Sequence, residues 1–136
     1  MKHTKFLFIV ILILSLTACT NSKSLSGNWQ VTALYVNETA VPVITSNIKL
    51  TPTSTSSLFT AKGCAGVNLY NADITVKGKT FHASNMVNTG FMGTPFEMDF
   101  EDKFFQVLMN SNRYKITGNM LVIYNEELNL KLELGK

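Results

Sequence analysis

One segment of this chain changes the hydrophobic period, and that change limits the fold more than any other feature. Trp29, Val31, Ala33 and Tyr35 alternate with Gln30 and Thr32, and Leu128, Leu130, Leu132 and Leu134 alternate with Asn129, Lys131 and Glu133. A period of two turns one face of a strand to a core and the other to water. Phe96, Phe100, Phe104 and Leu108 instead recur every four residues, with Phe105 and Val107 beside them. That is the spacing of an amphipathic helix. A broad aromatic stripe inside an otherwise two-periodic chain needs a curved sheet to bury it.

The remaining segments fit this plan. Ile48 to Thr51 and Leu58 to Ala61 read as strands joined by the Ser/Thr/Pro-rich turn Pro52 to Ser57. Val67 to Tyr70 reads as a short strand or an irregular crossing. Asp73 to Val76 and Thr80 to Ala83 bracket the turn signal Lys77-Gly78-Lys79. The helix start is well marked: Thr94 can cap, Pro95 suits the first helical position, and Glu97 completes a capping box. Arg113 to Thr117 and Met120 to Tyr124 flank the hairpin signal Gly118-Asn119. The expected fold is mainly β (α+β): an antiparallel curled sheet or partly closed barrel with one amphipathic helix before the last three strands. Closing or covering the edges also limits unwanted strand pairing.

The first residues read as an export leader. Lys2, His3 and Lys5 precede an apolar run from Phe6 to Leu14. That run is too short to span a bilayer, which needs about 20 residues, but it suits a secretory signal. Leu16-Thr17-Ala18-Cys19 then fits a bacterial lipobox at all four positions. Residues 1–18 are therefore expected to leave, with Cys19 lipidated. Residues 19–26 would form a short tether, and 27–134 a single domain. The seven residues after Cys19 reach about 15 Å, so the domain would sit close to its membrane. Each buried acyl CH₂ contributes about 0.8 kcal/mol, and stable anchoring takes more than one chain. Thr20 is not the aspartate with which lipoproteins are retained at an inner membrane, which favours an outer membrane if the host has two.

Loss of Lys2 and Lys5 with the leader lowers the net charge from +3 to +1. No basic cluster remains, so nucleic acid is disfavoured. With Cys19 consumed by lipid, Cys64 has no partner for an internal disulfide. It reads as a small buried residue, in keeping with free cysteines generally. The chain is expected to act as a monomer.

Chemistry-bearing patterns are sparse. His82 alternates with Phe81 and should point outward; a Cys64/His82 dyad would need a contact that sequence cannot show. Glu97, Asp99, Glu101 and Asp102 crowd the first helical turns, read as macrodipole compensation and a solvated face rather than a metal site. No cofactor motif is present. Two loops stand out. In the first, Gly63, Cys64, Gly66, Asn68 and Tyr70 imply a tight backbone feature, because glycine permits positive φ or close approach and Asn68 can bond local backbone. In the second, which begins at Thr89, Gly90 and Gly93 flank Phe91 and Met92. These two are expected to tuck in and plug one end of the barrel, or else to face solvent as an adaptable contact.

In their order and spacing these segments resemble the META domain, the family that includes heat-shock protein HslJ. Gly27-Asn28-Trp29 is similar to the family's start. Gly63 to Tyr70 is similar to its Gly-x-x-Gly-Cys-Asn-x-aromatic stretch, and Asn88 to Gly93 to its Thr-x-Met-Ala-Cys stretch. The resemblance covers roughly Leu25 to Leu134. In this register the two family cysteines fall at Val67 and Gly93, so a cross-link between the loops is absent as a pair. A register that put Cys64 in the family position would misalign Gly66 and Asn68. The resemblance implies a small β-rich domain, frequently an envelope lipoprotein, with links to heat shock, antibiotic tolerance, motility or virulence. It brings no catalytic residues.

The expected function is that of a non-catalytic envelope lipoprotein. It would be held to the membrane by its N-terminal lipid, and would bind or stabilise an envelope protein or polymer. A carrier of a small hydrophobic ligand in the barrel mouth is the alternative, and a thiol-dependent enzyme using Cys64 the third.

Overall fold

A computed structural model describes residues 25–136; Cys19 and the leader lie outside them. Nine strands and one helix follow in order: β1 (Gly27–Val36), β2 (Thr39–Val41), β3 (Asn47–Pro52), β4 (Leu58–Cys64), β5 (Leu69–Lys77), β6 (Thr80–Asn88), α1 (Pro95–Asn110), β7 (Arg113–Thr117), β8 (Met120–Asn125) and β9 (Leu130–Gly135). The expected class holds, with the helix before the last three strands.

All neighbouring strands are antiparallel, and the ring closes where β9 pairs with β1 from Gln30 to Val36. The other edge of β1 is shared: Gly27–Gln30 pair with β3, and Leu34–Val36 with β2. β2 went unseen in the sequence. It is three residues long and follows a two-residue turn, Asn37-Glu38, in which both φ angles are positive. That is the backbone of a type I′ hairpin, but glutamate is an unusual residue for it.

The ring is not even. β6 and β7 share one register pair, Thr80 with Arg113, beside the backbone bonds Phe81 N–H to Asn112 O (3.0 Å) and Tyr114 N–H to Lys79 O (3.1 Å). Beyond this seam α1, which links the two strands, packs against β6, β8, β9 and β1. Its N-terminus carries the expected capping box, with Glu97 N–H donating to Thr94 Oγ1 and Thr94 N–H donating to Glu97 Oε2. Phe100, Phe104, Val107 and Leu108 join Trp29, Phe59, Ile74, Leu121 and Leu132 in one core. Phe96, expected on the same stripe, is exposed because it sits in the first turn, beyond the core.

Two further expectations are corrected by local geometry. Thr32 is an extra residue in β1 opposite β9, between Val31 and Ala33. This bulge switches the inward parity, so Trp29 and Leu34 are buried while Val31, Ala33 and Tyr35 are only partly so. Leu128 lies in the turn before β9, where its N–H donates to Asn125 Oδ1, and it is half exposed. Leu25 and Ser26, assigned to the tether, also join the fold: Trp29 Nε1–H donates to Leu25 O at 2.8 Å, and Lys136 Nζ to Ser26 O at 2.7 Å.

Candidate functional site: an asparagine clamp and the groove beside it

The end of β4 and the loop to β5 are tight because two positions exclude side chains. A Cβ on Gly63 would lie 2.0 Å from Asn47 O. At Gly66 φ is +90°, and a Cβ would lie 2.3 Å from Ile44 Cδ1. Ala65 N–H closes the loop by donating to Asn68 O at 2.9 Å. The loop thereby delivers Asn68 into the interior, only 2% exposed.

There Asn68 uses its full side-chain capacity of two donated and two accepted bonds. Oδ1 accepts from Phe91 N–H and from Thr89 Oγ1–H, both at 2.8 Å. Nδ2 donates to Phe91 O at 2.9 Å and to Glu101 Oε1 at 2.7 Å. The Asn68 backbone N–H donates to Glu101 Oε2 at 2.9 Å. Thr89 Oγ1 in turn accepts from Leu69 N–H. One residue thus ties together the β4–β5 loop, the β6–α1 loop and the helix.

The expected plug is overturned here. Phe91 is 68% exposed and Met92 86%. The clamp holds the backbone of Phe91 by both its N–H and its C=O, and the side chains are left in solvent. Glu101 departs from its expectation too. It is 7% exposed, inside the fold, where it binds Asn68. Its position was readable: it precedes Phe104 by three residues and Leu108 by seven, which places it on the apolar stripe.

Tyr70 sits one strand residue beyond the clamp. Its O–H donates to Asn47 O at 3.0 Å, and its ring packs on Phe104 and Phe105 at 5.5 Å. Burial, with Cys64 adding to it, pushes the phenol far above the usual tyrosine range, so it stays a donor. Cys64 is half-buried rather than buried. Its N–H donates to Asn47 Oδ1 at 3.0 Å, and its thiol to Gly66 O at 3.3 Å. A Cys64/His82 dyad does not form. Cys64 pairs with Leu69 and His82 with Thr75, six residues along β5, or roughly 20 Å. Among the described residues, no three His, Cys, Asp or Glu side chains converge to hold a metal ion.

Cys64 also lines an open groove of about 640 Å³, on the outer face of β3 to β6. Asn47, Lys49 and Lys62 border it at one side; Leu69 and Val87, 62% and 60% exposed, border it at the other. Sequence reasoning missed this feature, because Val87 faces outward only after a bulge in β6. There Asn71 opposes Val87 but Asp73 opposes Ser84, and Asn85 adopts a φ of 52°.

The META domain family model matches residues 23–133. The chain belongs to the META domain family. Comparison with curated proteins gives no match. Among solved structures, this META domain is similar to the NMR structure of a protein from Burkholderia xenovorans, with a TM-score of 0.66 and 16% identity over 84% of each chain. It is also similar to a DUF4847 family protein from Bacteroides vulgatus, with a TM-score of 0.57 and 16% identity over 81% of this chain and 92% of that one. At such identities the likeness is one of fold.

Val67 and Gly93, the positions that the resemblance sets against the family's two cysteines, are neighbours in this META domain. A Cβ on Gly93 would lie 2.6 Å from Val67 Cγ2. The loops therefore touch directly where a cross-link would sit, and here the clamp joins them by hydrogen bonds instead.

Proposed function

We propose that this META domain protein is a non-catalytic, lipid-anchored envelope protein that binds or stabilises another envelope component through the Asn68 end of its barrel. The observation that carries the reading is the exposure of Phe91 and Met92 beside the clamp, which bonds the Phe91 backbone at both its N–H and its C=O. Exposed apolar residues that are clustered rather than scattered mark interaction sites, and a preordered loop loses little entropy on binding. Phe96, also exposed, lies in the first turn of the adjoining helix. The lipobox at Cys19 and the short segment after it support placement at a membrane, the outer one in a two-membrane host. The stress-related part of the reading rests on the family resemblance alone.

The test is crosslinking in intact cells followed by recovery of the protein. The wild-type chain should capture a protein or envelope polymer, and a Phe91→Ser/Met92→Ser variant should capture at least several-fold less. Equal capture by both, or none by the wild type, would count against the reading. A second reading, a carrier of a small hydrophobic ligand, draws support from the groove, although this lies outside the sheet and not in the barrel mouth.

A further inference from the structure

The groove on β3 to β6 carries an unmatched pair of charges. Lys49 and Lys62 stand directly opposite each other across β3 and β4. Like charges in that position repel and weaken the sheet. Neither lysine forms an ion pair among the described residues, and no acidic side chain lines the groove. Asp73, on the same face of β5 and opposite Thr60, is bonded to Asn85 Nδ2 at 2.9 Å. Asn28, opposite Lys49 on the far side, is neutral. No ion pair among the described residues offsets this repulsion.

The floor next to the lysines is apolar. Cys64 pairs with Leu69, and Val87 lies diagonally across β5 and β6 from Leu69 on the same face. From β3 to β6 the groove crosses three strand spacings, roughly 15 Å. Its volume of about 640 Å³ falls in the range of small-molecule sites, roughly 300–1,000 Å³. A cationic end and an apolar end side by side in one groove complement a molecule with an anionic head and a single alkyl tail.

We propose that this groove binds an anionic single-chain amphiphile, a carboxylate or phosphate head between Lys49 and Lys62 and the tail over Cys64, Leu69 and Val87. Charge complementarity selects this occupant: a neutral apolar ligand would leave the lysine pair unmatched, and a free inorganic anion would leave Leu69 and Val87 wet. The site is separate from the Phe91–Met92 surface and does not depend on it.

The experiment uses the full chain in zwitterionic phosphatidylcholine vesicles and dodecanoate carrying a diazirine on its tail, with labelled residues mapped by mass spectrometry. Labelling should saturate and fall on the segments Cys64–Asn71 and Val87–Thr89. Excess dodecanoate or dodecyl phosphate should displace it, the stronger competitor identifying the head, while dodecanol should compete at least tenfold less well. Lys49→Gln/Lys62→Gln, two exposed changes, should reduce labelling at least fivefold with the circular dichroism spectrum unchanged. Labelling elsewhere, labelling that rises with probe without saturating, equal competition by dodecanol, or indifference to the lysine changes would each overturn the assignment. Loss of labelling in the lysine variant with envelope crosslinking intact would separate this site from the proposed docking surface.

Discussion

Asn68 and Tyr70 are two residues apart and do different work with buried polar atoms. Asn68 spends every side-chain donor and acceptor on other segments. Tyr70 makes one bond, to Asn47 O, from a site that strongly disfavours its charged form. The second case predicts a pH dependence. The folded phenol titrates above the ordinary value near 10, so the unfolded chain loses this proton first. Stability tied to Tyr70 is therefore complete below about pH 10 and falls as pH rises beyond it, by about 1.4 kcal/mol per pH unit for one proton. Tyr114, also raised by burial, acts in the same direction. Urea midpoints between pH 9 and 11 should fall more steeply in the wild type than in Tyr70→Phe, with the difference cancelling the other titrating groups. Parallel curves would contradict the reading. At this scale the sequence marked Asn68 as a residue that bonds local backbone, whereas its side-chain partners lie 21 to 33 residues on; Thr89 was marked through the family resemblance alone. Glu101 was not legible, because four acids near a helix start have a sufficient explanation in the macrodipole.

Elements were legible where one local rule decided them. The capping box fixed the start of α1, Gly118-Asn119 placed the β7–β8 turn, and alternation marked β9. They were illegible where tertiary geometry decided: the Thr32 bulge reverses the inward face within β1, and the bulge before Val87 does the same in β6. The contact between the β4–β5 loop and the β6–α1 loop also belongs to this scale. With Val67 Cγ2 only 2.6 Å from a Cβ built on Gly93, the two Cβ positions fall near the 3.5–4.5 Å that a disulfide needs. Val67→Cys/Gly93→Cys should be oxidised by air, lose the mass of two hydrogen atoms, and gain up to roughly 3.5 kcal/mol of stability for a loop of this size. Glu97 must move aside, since its Oε2 would lie 2.7 Å from the new Cβ. A double variant that stays reduced in air would show that the loops are held farther apart than described here.

At the scale of the whole molecule, ring closure by β1 and β9 joins the two ends of the fold. No periodicity foretells that pairing, although a stripe as aromatic as that of α1 requires some enclosure. The ring is thinnest between β6 and β7, and α1 bridges those strands with the Asn68 clamp near its start. The clamp thus gives an exposed apolar segment the order of the core, which is the central claim of this account. Amide hydrogen exchange at Phe91 and Met92 tests it most directly. The Phe91 N–H, held by Asn68 Oδ1 at 2.8 Å, should exchange about as slowly as the amides paired between β8 and β9. The Met92 N–H, one residue on and without a partner among the described residues, should exchange freely. In Asn68→Ala the Phe91 amide should join it. If Phe91 in the wild-type chain exchanges as fast as Met92, the clamp does not hold the segment and the account fails.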